Sequence, residues 1–295
     1  MSTSSARFPK LGRRSTRSTP DSQRDDRHLF NPALIAGSLI IAGLVIGAYI
    51  IPAISPYGAE QPNVRDALQG PSFSHLFGTD QTGFDIFTRS FYAPRIDLSI
   101  AAAGVGLGAL IGVIIGVAAS YTRGLAGEIV LRIADVVQSF PVLILALALV
   151  ALAGNKATNV IWALAFVNVP IFLRLIRSRV LTIREQRYIE AAIALGNSTP
   201  RLLRKHVLPN ALGPVIVQLG ISMGYAIILL AGLAFLGVGI QVPTPEWGSM
   251  ILIGRSNITT GQWWTAVFPG LILAVAVFGF NLISEGVERA REVNR

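Results

Sequence analysis

Six apolar runs of roughly bilayer length, separated by polar segments, set the fold class of this 295-residue chain before any single residue is considered. They fall at about 32–54, 98–121, 129–152, 160–175, 212–238 and 267–283. A helix needs about 20 mostly apolar residues to cross a hydrocarbon core roughly 30 Å thick. In lipid its backbone N–H and C=O groups must be satisfied within the segment, which leaves the helix as the natural solution for such runs. Charged residues make up 14% of the chain, well below the roughly 25% of soluble domains. The chain is therefore predicted to be an all-α polytopic membrane protein with six transmembrane helices.

Residues 1–29 are rich in Ser, Thr and Arg and show no apolar period. They read as a disordered basic tail. The first apolar run is longer than the roughly 7–15 residues of a signal-peptide core and is followed by no small-x-small cleavage site. It reads as an uncleaved span that starts at Asn31-Pro32, a cap residue followed by a first-turn proline. The third run is interrupted by Pro141, and the fourth continues past Leu175 into a charged stretch.

Orientation follows from the basic residues. Of 25 Lys and Arg, only Arg65, Arg89, Arg95, Lys156 and Arg255 fall on one side of the six-span arrangement. The others lie in the tail, in the loop after the second run, between the fourth and fifth runs, and at the C-terminus. By the positive-inside rule both termini and the long fourth loop are cytoplasmic. The net charge of +9 is thereby explained by the anionic cytoplasmic leaflet, with no need for a nucleic-acid partner.

Inside the second run Gly104, Gly108, Gly112, Gly116 and Ser120 recur every fourth residue. Such a stripe of small residues lets helix backbones approach closely in lipid, within the bundle or across a dimer. Ionisable residues within the spans are scarce. Asp135 sits near a span end and is expected to pair with a nearby arginine. A charge at mid-bilayer costs about 2.5–3.5 kcal/mol on insertion scales, so this scarcity speaks against a proton- or sodium-coupled carrier. With no cysteine, and three well-separated histidines, no metal-ligand spacing appears. The sequence contains no G-x-x-x-x-G-K-[ST], so it offers no P-loop of its own for ATP.

The loop between the fourth and fifth runs carries the most information. Tyr188, Ala191, Ala192 and Leu195 recur at helical spacing and are expected on one face. Gly196 follows where a helix stop wants a residue tolerant of the left-handed conformation. Thr199-Pro200 reads as a second start, with Thr199 the N-cap of a short basic helix, and Leu208-Pro209 leads back to the membrane. Glu190 is expected to pair with an arginine of this chain or of a partner.

Glu190-Ala191-Ala192, Gly196 and Leu208-Pro209 resemble the EAA loop of ABC importer membrane subunits. Further matches resemble the "C" branch of the dipeptide, oligopeptide and nickel permeases. These are His75-Leu-Phe-Gly-Thr-Asp80 with Gly83 and Asp85, Arg95-Ile-x-Leu-Ser99, Arg132-x-x-Asp135 with Phe140-Pro141, Leu233-Ala-Phe-Leu-Gly237, and Pro243-Thr-Pro245-x-Trp247-Gly248. Alanine stands at 234 where the family has serine, and Ser284–Arg289 departs from the family's G-D-G-L-R-D.

The resemblance implies a type I ABC importer transmembrane domain over residues 97–286. Residues 30–96 would form the first transmembrane helix plus an external segment, and 287–295 a cytoplasmic tail. It implies a permease in a bacterial cytoplasmic membrane, paired with a homologous permease subunit, two cytoplasmic ATPase subunits and an external substrate-binding protein. ATP and Mg would be bound by the ATPases and no cofactor by this chain. Glu190, Ala191, Ala192, Leu195, Gly196, Leu208 and Pro209 would couple to the ATPase. Di- and oligopeptides are the expected solutes, with nickel chelates, glutathione or oligosaccharides as alternatives on the same machinery. A carrier independent of any ATPase, or a non-transporting scaffold, are the competing readings.

Overall fold

A computed structural model describes residues 31–121, 125–240 and 242–293; the basic tail lies outside the described residues. Helix α1 (Pro32–Ile54) opens the bundle. The Asn31 side chain accepts from the Ala33 N–H at 3.1 Å, and its amide donates to the Gly286 carbonyl at 2.8 Å. The start signal in the sequence thus also ties α1 to the last helix. A polar segment with a short 3-10 turn (Val64–Asp66) leads to α2 (Ile86–Tyr92) and α3 (Pro94–Tyr121). Then follow α4 (Leu125–Ser139), α5 (Val142–Ala153) and α6 (Ala157–Arg184). The loop between α6 and the next long helix holds α7 (Arg187–Ala194) and α8 (Thr199–Leu202). Helices α9 (Leu208–Phe235), α10 (Trp247–Ile258) and α11 (Trp264–Val293) complete the chain.

Among the described residues five helices are long and apolar enough to cross a membrane, or six when α4 and α5 count as one broken span. The two are bent by 93°. Pro141 has no N–H to donate and its ring disfavours a helical Phe140, so the helix stops at Ser139 and restarts in a new direction. The third span is therefore not one crossing helix with a kink but two segments nearly at right angles. Helix α6 has 28 residues, about 42 Å at 1.5 Å per residue, so it outruns the hydrocarbon core as expected.

The glycine stripe of α3 faces α6 within the same chain. A Cβ at Gly108 would lie 2.7 Å from the Asn168 Cβ, and one at Gly112 would lie 2.6 Å from the Val169 carbonyl oxygen. Gly104 and Gly116 meet Leu164 and Leu173 in the same way. The two backbones approach until no side chain fits between them, and the alternative of a dimer contact for this stripe is set aside. The lower end is closed by Arg184, which donates to the Ser120 carbonyl at 2.5 Å and lies over the Tyr121 ring at 4.5 Å.

The segment between α1 and α3 is held by polar contacts. Buried Arg89 donates to the carbonyls of Ala59 at 2.7 Å and Pro243 at 3.0 Å. His75 Nδ1 lies 2.9 Å from Asp85, whose other oxygen caps α2 by accepting from the Thr88 N–H at 2.8 Å. The Trp247 indole donates to the Ser90 carbonyl at 3.0 Å and the residue is fully buried, so it is a core residue and not part of an interfacial belt. Trp264 donates to the Thr79 carbonyl at 3.2 Å.

Candidate coupling loop and pathway face

Helix α7 leaves α6 after a break at Glu185-Gln186. Its eight residues present two faces. Ile189 and Ala192 point inward and join the core with Val180, Leu202 and Val207. Tyr188 (46% exposed), Ile193 (58%) and Leu195 (84%) stand outward, as does Ala191. The four residues expected on one face are therefore split. Tyr188, Ala191 and Leu195 follow an i, i+3, i+7 stripe, whereas Ala192 pairs with Ile189 on the opposite side. The periodicity was compatible with both assignments; packing of Ile189 against the chain's own core selects this one.

The stop after α7 is a Schellman motif. Gly196 has φ +79°. The Gly196 N–H donates to the Ile193 carbonyl at 2.9 Å and the Asn197 N–H to the Ala192 carbonyl at 3.2 Å. The Asn197 side-chain amide reaches the same Ala192 carbonyl at 2.9 Å. Ser198, not Thr199, is the N-cap of the next helix, because Thr199 already has helical geometry and Leu202 bonds back to the Ser198 carbonyl. Helix α8 does not end before α9. It passes through a π-helical turn (Leu203–Val207), in which the Leu208 N–H bonds to the Leu203 carbonyl, directly into α9. Pro209 has no N–H for residue 205, and widening the preceding turn accommodates that gap. Leu208-Pro209 thus starts the fifth span inside one continuous helical run.

Glu190 is exposed and, among the described residues, forms no ion pair; Arg184 is engaged with Ser120 and Tyr121 instead. The outer face therefore combines unpaired charge with apolar surface at Tyr188, Ile193 and Leu195. In the helical turns that follow, Arg201, Arg204 and Lys205 are exposed.

Above the loop, a cavity of about 410 Å³ opens at the break between α4 and α5. Its polar wall is Gln138 of α4 with Gln218, Ser222 and Tyr225 of α9. The Gln218 amide donates to Ser222 Oγ at 3.3 Å. Asp135 pairs with Arg174 of α6 at 2.5 Å, and Arg174 also contacts Gln138. The arginine expected beside Asp135 comes from another helix, which sequence spacing does not reveal. Neither Gln218 nor Ser222 is singled out from the sequence; their i, i+4 spacing within an apolar run is the signal that could have found them. Among the described residues no group of three or more His, Cys, Asp or Glu is placed to hold a metal ion.

Comparison with known proteins agrees with this architecture. Residues 108–292 match the family described as binding-protein-dependent transport system inner membrane component. The chain is 40% identical over 260 residues to the dipeptide transport system permease protein DppC of Alkalihalophilus pseudofirmus, covering 88% of this chain and 85% of that protein. It is 36% identical over 286 residues to the glutathione transport system permease protein GsiD of Pectobacterium atrosepticum, covering 97% and 94%. An inward-facing structure of the MetNI methionine ABC transporter superposes with a TM-score of 0.53 at 21% identity, covering 69% of this chain and 95% of that one. That likeness concerns the fold. With the family matched over more than half of its length and two full-length relatives above 30% identity, the chain belongs to the binding-protein-dependent inner-membrane transport components and is a permease subunit of an ABC importer.

Proposed function

We propose that this permease moves di- or oligopeptides, glutathione being a peptide of the same class, and that the outer face of α7 couples it to a cytoplasmic ATPase. The single observation that carries the coupling role is the exposure of Tyr188, Ile193 and Leu195 on a helix whose other face is buried. Ile189, Ala192, Leu202 and Val207 anchor the loop from behind, and the Gly196 stop fixes where the exposed helix ends. Such a hook transmits a push at its outer face to α6 and α9, since α7 leaves one and α8 runs into the other. ATP binding by separate ATPase subunits, a homologous second permease and an external binding protein complete the reading. Glu190 then serves as an ion-pair partner for the ATPase, with Ala191 and Leu195 in its groove. Gly196, Leu208 and Pro209 shape the loop, and Ala192 supports it from inside.

The test is co-purification of ATPase with the permease. Leu195→Asp is expected to lower the ATPase recovered per permease, while Leu68→Asp in the external segment leaves it unchanged. Equal recovery would remove the coupling role from α7. Orientation is checked separately, since the chain has no cysteine. Ser72→Cys should react with an impermeant external thiol reagent and Ser198→Cys should not.

A further inference from the structure

Helix α9 carries a line of side chains that no other helix of this chain fully covers: Pro214, Gln218, Ile221 and Tyr225. At its cytoplasmic end lies a cavity of about 330 Å³, lined by Arg179 of α6, Gln218 and Ile221 of α9, and Glu288 and Arg291 of α11. Gln218 and Ile221 also line the cavity at the α4–α5 break, so Gln218 stands at the joint between the two.

The charges here are arranged unlike simple headgroup anchors. The Arg291 guanidinium lies so close to the Gly213 backbone that any Cβ there would overlap it. The glycine admits the arginine against the first turns of α9. Among the described residues neither Arg179, Glu288 nor Arg291 is ion-paired. By contrast, the neighbouring Arg289 contacts Glu285 on the same helix. The cavity therefore offers two free cations, one free anion and a side-chain amide around one space.

A zwitterionic peptide carries the complement: a carboxylate, an ammonium and an amide. We propose that this cavity is a subsite for zwitterionic, amide-bearing solutes at the cytoplasmic end of the pathway, an assignment that rests on the peptide-transport reading above. Arg179 and Arg291 take the carboxylate, Glu288 the ammonium and Gln218 the peptide amide. Guanidinium–carboxylate pairs are charge-assisted and directional, so they discriminate a free C-terminus from an amidated one.

The test uses the nucleotide-free permease–ATPase complex in nanodiscs, without binding protein, so that only the permease reads the solute. Saturation-transfer NMR compares dialanine, dialanine amide and N-acetyl-dialanine. The wild-type complex is expected to bind dialanine at least about tenfold more tightly than its amide, since the amide loses the charge-assisted pairs to both arginines. Arg291→Gln should lower that ratio severalfold, Arg179 still being in place, Arg291→Lys should restore most of it, and the double variant Arg179→Gln with Arg291→Gln should bring it near one. Glu288→Gln should instead abolish the preference over the N-acetyl form. Arg289→Gln, outside the cavity, should behave as wild type. No preference in the wild type, or the same preference in all variants, overturns the subsite and leaves the arginines as membrane anchors. If Arg291→Gln fails to assemble, the wild-type comparison of the three ligands decides alone. Uptake by wild-type proteoliposomes with binding protein and ATP separates the two levels. Uptake of peptide without end-group preference in NMR rejects only the subsite, whereas absence of any peptide uptake rejects the peptide reading itself.

Discussion

The backbone N–H of Trp247 donates to the Asp97 carboxylate at 3.1 Å, joining the start of α10 to the start of α3 across 150 residues. Both residues are buried, and the second Asp97 oxygen has no partner. Asp97→Ala leaves a buried N–H unsatisfied and is expected to cost about 1–3 kcal/mol. Asp97→Asn keeps an acceptor and should cost less. Thermal melting of the purified permease complex checks the order; equal losses would show that the contact does not matter.

Glu246 precedes α10, outside the spans, and accepts from the N–H groups of Gly248 at 3.0 Å and Ser249 at 2.7 Å. Burial raises its carboxyl from 4.5 to about 7, against the lowering effect of those two N–H groups. The folded state then holds this proton more tightly than the unfolded state. The stability it contributes is complete below pH 4.5 and is lost as pH rises through about 7. Melting temperature should fall across that window in the native chain, and Glu246→Gln should flatten the slope.

Gly112 and Gly106 lie on different faces of α3. A Cβ at Gly112 would sit 2.6 Å from the Val169 carbonyl oxygen and 2.9 Å from the Phe172 Cβ, whereas one at Gly106 meets nothing within 4 Å. Gly112→Val should destabilise by about 1–3 kcal/mol or more through overpacking. Gly106→Ala should be neutral or slightly stabilising, by up to about 1 kcal/mol of helix propensity. Comparable melting temperatures for the two variants would contradict the α3–α6 contact.

Gly196 has open space around the position of a Cβ, so only its φ of +79° resists a side chain. The cost is roughly 1–2 kcal/mol for an L-residue held left-handed. Gly196→Val should insert normally yet show less uptake per ATP hydrolysed, while Gly196→Asn should retain most coupling. Uptake and hydrolysis measured together in proteoliposomes decide it; full coupling in the valine variant would separate the helix stop from transport.

Much of this protein was legible in its sequence because lipid imposes few solutions. Apolar length set the spans, the Asn31-Pro32 pair marked the start of α1, Pro141 marked the break, and Gly196 marked the stop of α7. Each of these depends on the backbone chemistry of one or two residues, which any context must obey. Which way a helix turns its faces depends instead on what lies beside it. The packing of Ile189 sent Ala192 inward, and Arg184 was taken by Ser120, leaving Glu190 without an ion pair among the described residues. The right-angle turn at Pro141 and the pairing of Asp135 with Arg174 likewise required elements distant in sequence to meet. The cavity joining Arg179, Gln218, Glu288 and Arg291 draws on three helices, and no local pattern specifies it. Local conformational preference acts within a few residues, whereas side-chain partnership is set by the close packing of whole helices, and only the tertiary structure decides that.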